Sequence, residues 1–304
     1  MKTVLVTGSN GLLGQKLTDL YLHEKDIKLI ATGKGQNRHP EKEGYLYAEM
    51  DIADRENVQT VVEKYRPNTI IHTAAMTNVD ACELDPTSCQ ISNVDAVENM
   101  VYAANSVDAH LIHLSTDFIF DGLNGPYKEE AIPNPLSIYG QAKLDAENII
   151  TSNCKNWAIA RTVLVYGLVA DMSRSNIVLW AKESLENHKK INVVDDQFRT
   201  PTLAEDLAMG CHLIERQKAQ GIFNISGKDF MSIFELVQRV ANHYGLSMEN
   251  VSKINSKTLN QPAKRPPITG FDLSKSKTVL GYEPHSFDQG IDIVYNQFLK
   301  SQAL

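Results

Sequence analysis

Basic charge, paired cysteines and long apolar runs are all scarce in this chain, and each scarcity removes a class of protein. Lysine and arginine number 30 against 37 aspartates and glutamates, a formal net charge of −7. That balance argues against a nucleic-acid partner, whose phosphates demand a basic footprint. It leaves room for a small anionic ligand, which a few local bases can hold. The cysteines stand apart at Cys82, Cys89, Cys154 and Cys211, with no C-x-x-C pair. Reduced thiols are expected, rather than a disulfide framework or a zinc site. The most apolar stretch, residues 157–169, is broken by Arg161 and is too short to span a bilayer. Residues 1–6 run directly into a strand-like segment, without the separate apolar region and cleavage site of an export signal. A cytoplasmic chain with no membrane partner is expected.

What is present is alternation. The 304 residues are 42% hydrophobic, enough to bury a substantial core. Residues 4–6, 28–31, 69–73 and 110–114 read as strands, and residues 12–22, 54–65 and 94–105 between them carry apolar side chains at helical spacing. The pattern predicts an α/β fold with a Rossmann-type doubly wound parallel sheet, its ligand loops at the carboxyl ends of the strands. A helix over 137–150 and a strand over 158–165 follow. Further on, helices are expected over 177–187, 203–215 and 233–244, a strand over 222–225, and a last helix from near Phe287. The three prolines in 260–270 predict a loop. The division expected is a dinucleotide-binding domain of residues 1–166 with 202–226, and a smaller α+β substrate lobe of residues 167–201 with 227–304.

The strongest local signal is Thr7-Gly8-Ser9-Asn10-Gly11-Leu12-Leu13-Gly14, at the first strand–helix junction. Gly8 and Gly11 permit a tight turn and let backbone amides approach a pyrophosphate, and Gly14 permits close helix–strand packing. The helix N-terminus supplies unpaired donors. Asn10, Leu12 and Leu13 complete the loop as cofactor-facing candidates. After the second strand no acid occurs until Glu41, while Lys34 and Arg38 are present. An acid at that place would hold a ribose 2′-hydroxyl, so its absence favours NADP, with NADH a possible second cofactor.

Tyr139 and Lys143 stand at i and i+4, on one face of a predicted helix. A neighbouring ammonium is expected to lower the phenol's pKa from its usual value near 10, making it a general acid at neutral pH. Lys143 can also donate to cofactor ribose hydroxyls. The strand ending in Ser115-Thr116 places a hydroxyl where it can hold a substrate carbonyl against Tyr139. His110 and His113 are three apart on that strand and face opposite ways, so they make poor metal co-ligands. No metal is expected.

With these blocks, the chain resembles an extended short-chain dehydrogenase/reductase, and more narrowly the dTDP-4-dehydrorhamnose reductase family. The resemblance runs from Thr7–Gly14 through His72–Glu83, Ser115–Gly122, Pro135–Lys143 and Arg161–Gly167 to Asp196–Thr202. It implies reduction of the C4 keto group of a nucleotide-linked deoxysugar, with Thr116, Tyr139 and Lys143 as the catalytic set. It implies that Asp51 and Ile52 meet the adenine, that Ala74, Ala75 and Thr77 line the cofactor, and that Thr116 and Asp117 face the sugar. Arg199 and Arg265 are candidates for the substrate diphosphate, with surface ion pairs the alternative. Leu164 and Arg199 depart from the family pattern, which often has a tryptophan and a small residue there. Sugar-nucleotide dehydratases on this scaffold typically place a glutamate after the aspartate; here Phe118 follows Asp117. The remaining alternatives are a sugar-nucleotide epimerase and a non-catalytic reductase-like regulatory subunit. A homodimer is a possible assembly.

Overall fold

The computed structural model describes residues 1–170 and 176–302. Along the chain, the first half runs β1 (Lys2–Thr7), α1 (Leu12–Leu22), β2 (Ile27–Gly33), β3 (Leu46–Glu49), α2 (Arg55–Tyr65), β4 (Thr69–His72), α3 (Val79–Leu84), α4 (Pro86–Gln90), α5 (Ala96–Ser106) and β5 (His110–Thr116). It continues with α6 (Ile138–Asn153), β6 (Trp157–Thr162), β7 (Val165–Tyr166), α7 (Ile177–Glu186), β8 (Ile191–Val194), β9 (Phe198–Arg199) and β10 (Thr202–Leu203). The last part comprises α8 (Ala204–Gln217), β11 (Gly221–Asn224), β12 (Met231–Ser232), α9 (Ile233–Tyr244), β13 (Val251–Ile254) and α10 (Phe287–Gln302).

Seven strands form one sheet in the order β11-β6-β5-β4-β1-β2-β3, all parallel. The chain leaves β1 in one direction and returns to β4 on its other side, so the order reverses between them. Both faces of the sheet are covered, and strand residues alternate between two cores. Val4, Val6, Ile71 and Ile112 pack with α1 and α8, through Leu17, Tyr21, Leu207 and Ile214. Leu5, Ile70, Leu111 and Ile159 pack with α2, α5 and α6, through Val58, Met100 and Ile150. This two-sided burial is why the strands read as continuous apolar runs. A third apolar cluster, with Val178, Leu236, Val240 and Ile291, joins α7, α9 and α10.

The expected α/β doubly wound architecture is therefore present, with local corrections. The strand expected over 158–165 is two, β6 and β7, parted where Leu164 adopts a positive φ of 41°. The helix expected over 94–105 starts at Pro86 and passes through a π turn, Ile91–Asp95, before α5. Strands β3, β8 and β13 were not anticipated. They are short, four residues each, and none alternates buried with exposed residues. Among the described residues no helix is long and apolar enough to cross a membrane.

Candidate active site

The sheet's order reversal opens a cavity of about 960 Å³ at the carboxyl ends of β1, β4 and β5. One wall is the glycine loop. Gly8 has φ +66°, and a Cβ there would stand 2.9 Å from the backbone of Ala74. Only glycine permits that approach. Gly11 caps α1 without a side chain, so the first-turn amides are not consumed by a cap. Thr7 fastens the loop to β4: its Oγ1 accepts from the amides of Thr73 (3.1 Å) and Ala74 (3.2 Å). The next cradle, Met76, is held by Asn93, whose Oδ1 accepts from the Met76 amide while its Nδ2 donates to the Met76 carbonyl, both at 2.9 Å. Asn93 lies in the π turn, buried against the Met76 backbone, and sequence reasoning missed it.

The residues singled out for a cofactor, Gly8, Asn10, Gly11, Leu12, Leu13, Gly14, Lys34, Arg38, Asp51, Ile52, Ala74, Ala75 and Thr77, all line this cavity. Asn10 pins the loop after β2, donating to the Gln36 carbonyl (2.9 Å) and accepting from the Arg38 amide (2.8 Å). The absence of acids in that loop is only local. Strand β3 brings Glu49 to the Gly35 amide (3.0 Å) and delivers Asp51 to Lys34, whose Nζ lies 2.6 Å from Oδ2. The basic loop thus faces carboxylates that the sequence near Lys34 does not show. The Lys34 side chain is 79% exposed, so this pair is a weak one, open to exchange for another anion.

Deeper in the cavity, α6 presents Tyr139 and Lys143, both buried, and β5 ends in Thr116. Ser137 starts this helix by accepting from the Gly140 amide at 3.2 Å, which fixes where its first turn begins. A side chain at Gly140 would run into the Phe118 carbonyl, so helix and β5 loop meet closely. The Thr116 hydroxyl donates to Asp117 Oδ1 at 3.1 Å. Asp117 is itself buried, accepts from Thr269 Oγ1 and faces Arg199 Nε at 3.7 Å.

The electrostatics depart from the sequence-based expectation. Burial raises the Tyr139 phenol above its ordinary pKa, with Thr116 opposing the rise and Asp117 adding to it. Burial outweighs the lowering expected from Lys143, whose Nζ is held by other partners. Lys143 Nζ lies 2.9 Å from His113 Nε2 and donates to the Leu114 carbonyl at 2.6 Å. Burial pulls the lysine down to about 8, opposed by Glu147. His113 faces His72 across 5.4 Å between ring centroids, while His110 interacts with the backbone near Trp157 and Ala219 on the opposite face.

Both candidate diphosphate residues line the cavity but are already engaged. Arg199 is buried, and its guanidinium donates to the carbonyls of Phe198 (2.8 Å), Pro267 (3.0 Å) and Pro266 (2.7 Å). It braces the wall that carries Asp117. Arg265 holds Asp80 with two bonds, 3.1 and 2.7 Å. Among the described residues no group of three or more His, Cys, Asp or Glu is arranged for a metal ion.

A glycine turn at the sheet's order reversal, with Thr, Tyr and Lys gathered below it, defines an extended short-chain dehydrogenase/reductase. More narrowly, the family model described as "RmlD substrate binding domain" matches residues 1–300, and the chain belongs to that family. It is 30% identical to methionine adenosyltransferase 2 subunit beta of Xenopus tropicalis, over 91% of this chain and 82% of that one. It is 28% identical to the dTDP-4-dehydrorhamnose reductase of Aggregatibacter actinomycetemcomitans, over 96% of this chain and 97% of that one. The crystal structure of the Bacillus anthracis dTDP-4-dehydrorhamnose reductase in complex with NADP superposes with a TM-score of 0.83 at 26% identity, covering 98% of this chain and 100% of that one.

Proposed function

We propose that this protein reduces the 4-keto group of a nucleotide-linked deoxysugar with NADPH, the sugar being dTDP-4-dehydrorhamnose and the product dTDP-rhamnose. The observation that carries the reading is that Thr116, Tyr139 and Lys143 line the same cavity as the Gly8–Gly14 phosphate loop. Two relatives named as dTDP-4-dehydrorhamnose reductases, one of them solved with NADP, support it. We read residues 1–166 with 202–226 as the cofactor part, and residues 167–201 with 227–304 as the substrate lobe.

Bound NADPH supplies the hydride for the carbonyl carbon. Thr116 turns its hydroxyl proton from Asp117 to the carbonyl oxygen and orients it. Tyr139 transfers its phenolic proton to that oxygen, completing the alcohol. A phenol whose pKa is raised by burial holds its proton until the oxygen becomes basic. The ammonium of Lys143 stabilises the phenolate left behind. The closely packed walls keep water from competing with the substrate for these groups. Arg265 releases Asp80 to meet the diphosphate, and Lys34 and Arg38 meet the 2′-phosphate.

A screen of 4-keto sugar nucleotides with NADPH and NADH tests this, read as loss of absorbance at 340 nm. Net oxidation of NADPH by one of them is expected, and Tyr139→Phe should lose roughly 10²- to 10⁴-fold in rate while still binding NADPH. The relatedness to a methionine adenosyltransferase beta subunit favours a second reading, a regulatory subunit that keeps the nucleotide pocket. Stable association with a methionine adenosyltransferase catalytic chain, without turnover of any keto sugar, would support that reading and reject the first.

A further inference from the structure

Two buried imidazoles stand behind the proposed catalytic lysine, and the mechanism above uses neither. Thr7 Oγ1 accepts from two amides, so its own proton goes to His72 Nδ1 at 2.8 Å. His72 therefore carries its proton on Nε2. Lys143 has only donors, and its Nζ lies 2.9 Å from His113 Nε2. That nitrogen must present a lone pair, which puts the His113 proton on Nδ1. His72 Nε2 and His113 Nδ1 are buried with no protein partner. Two neutral rings with a fixed tautomer are an expensive way to fill space. An apolar side chain would pack there without stranding any donor.

We propose that His113 is a positioning residue for Lys143: its Nε2 lone pair and the Leu114 carbonyl hold the buried ε-ammonium and leave its third N–H for Tyr139 and the cofactor ribose. This rests on the reading of Lys143 as part of the reductase site. His72, fixed by Thr7, walls in the far side of the imidazole and keeps it from turning. The other groups acting on Lys143 are Glu147, one turn on in α6, and Cys89 from α4. Tyr139 stands one turn before it. The contacts that hold the amine are its two hydrogen-bond acceptors. Burial, with Lys143 and His72 adding, keeps the His113 pKa far below that of a free imidazole, so the acceptor persists at working pH.

The test uses the full chain labelled with ¹⁵N-histidine and ¹³Cε-lysine, as wild type, His113→Leu and His113→Gln. In wild type, His113 should be unprotonated at Nε2 from pH 6 to about 7, where the lysine is an ammonium, and one lysine should titrate near 8. His113→Leu should move that lysine's midpoint down by about one to two pH units, the equivalent of one hydrogen bond to a charge. The alkaline limb of kcat should move with it, while KM for the sugar nucleotide stays put. His113→Gln, whose amide oxygen can accept, should restore both. A proton on Nε2 in wild type overturns the proposal without any variant, as does an unmoved midpoint in His113→Leu. If the lysine responds as described but no keto sugar is turned over, the reductase reading fails and the role of His113 stands.

Discussion

Replacing Arg161 by methionine tests how α6, the helix that carries Tyr139 and Lys143, is fixed to the sheet. Arg161 on β6 and Glu147 on α6 are both buried, joined by Nε–Oε1 at 3.0 Å and Nη2–Oε2 at 2.7 Å. A further bond runs from Nη1 to the Glu129 carbonyl at 2.9 Å, and the Phe120 ring lies 5.5 Å from the guanidinium. Arg161→Met strands a buried carboxylate and a carbonyl. Removing one partner of a buried pair costs about 3–5 kcal/mol. For a chain of this size that is a fall in melting temperature on the order of 10 °C. Replacing both residues, Arg161→Met with Glu147→Leu, removes the stranded charge and should recover most of the loss. Urea denaturation of wild type, both single variants and the double variant closes the cycle. The double variant should nevertheless be a poorer enzyme above pH 7, because the carboxylate that supports the Lys143 ammonium is gone. A cost below about 1 kcal/mol for Arg161→Met, or single costs that simply add, would refute this account.

Replacing Lys34 and Arg38 together by alanine should weaken NADPH binding by about 10²-fold, the loss of one or two charge-assisted contacts, and spare NADH; equal loss for both, by fluorescence titration, would remove these residues from cofactor choice. Burial lowers His72 to about 3. Its unfolded form therefore binds more protons than the native one between about pH 6.5 and 3, and stability falls as pH drops through that window. At pH 5 the loss is about 2 kcal/mol, and His72→Gln should show a shallower acid limb in urea titrations. Lys143, held near 8 by burial, works in the other range. Its unfolded form keeps a proton that the native form sheds above about pH 8, so this group's contribution to stability rises by about 3 kcal/mol toward pH 10.5. The difference between wild-type and Lys143→Met unfolding curves isolates that slope, and a flat difference would contradict the buried lysine.

Local signals survived the passage from sequence to structure, and pairings made at a distance did not. The glycine loop was legible because its chemistry is contained in eight consecutive residues. Tyr139 and Lys143 were legible because a helix converts a spacing of four into one face. The Rossmann-type sheet followed from strands buried on both sides, whose apolar runs need no partner to be read. Strand β3 was not legible: Leu46–Glu49, at the sheet's edge, has only exposed and half-buried residues and no apolar alternation. Missing it hid Glu49 and Asp51 from the basic loop they face. Asn93 reads as an ordinary polar residue in an α-helix until the π turn swings it onto Met76. For Arg199 the sequence leaves a diphosphate contact and an ion pair open, because an arginine near a predicted site suits either. Only the fold shows three carbonyls taking three of its five donors.

The distribution of unfavourable burial bears on which reading of the cavity is right. A scaffold needs the glycine loop to bind a nucleotide, and needs Asn93 and Thr7 to hold the loops. It has no use for an amine kept in a place that strips protons from it, for a carboxylate at Asp117 pushed up by desolvation, or for two imidazoles with stranded nitrogens. Each of these works against stability. His72 ends β4, His113 lies in β5 and Asp117 follows it, and Lys143 sits against His113. A chain selected only to dock on a partner loses nothing by replacing them with apolar residues of similar size, and gains rigidity. Perturbed titratable groups gathered in one cleft are the pattern that proton transfer requires. The buried lysine, the aspartate and the paired histidines are the perturbed groups that this cleft carries.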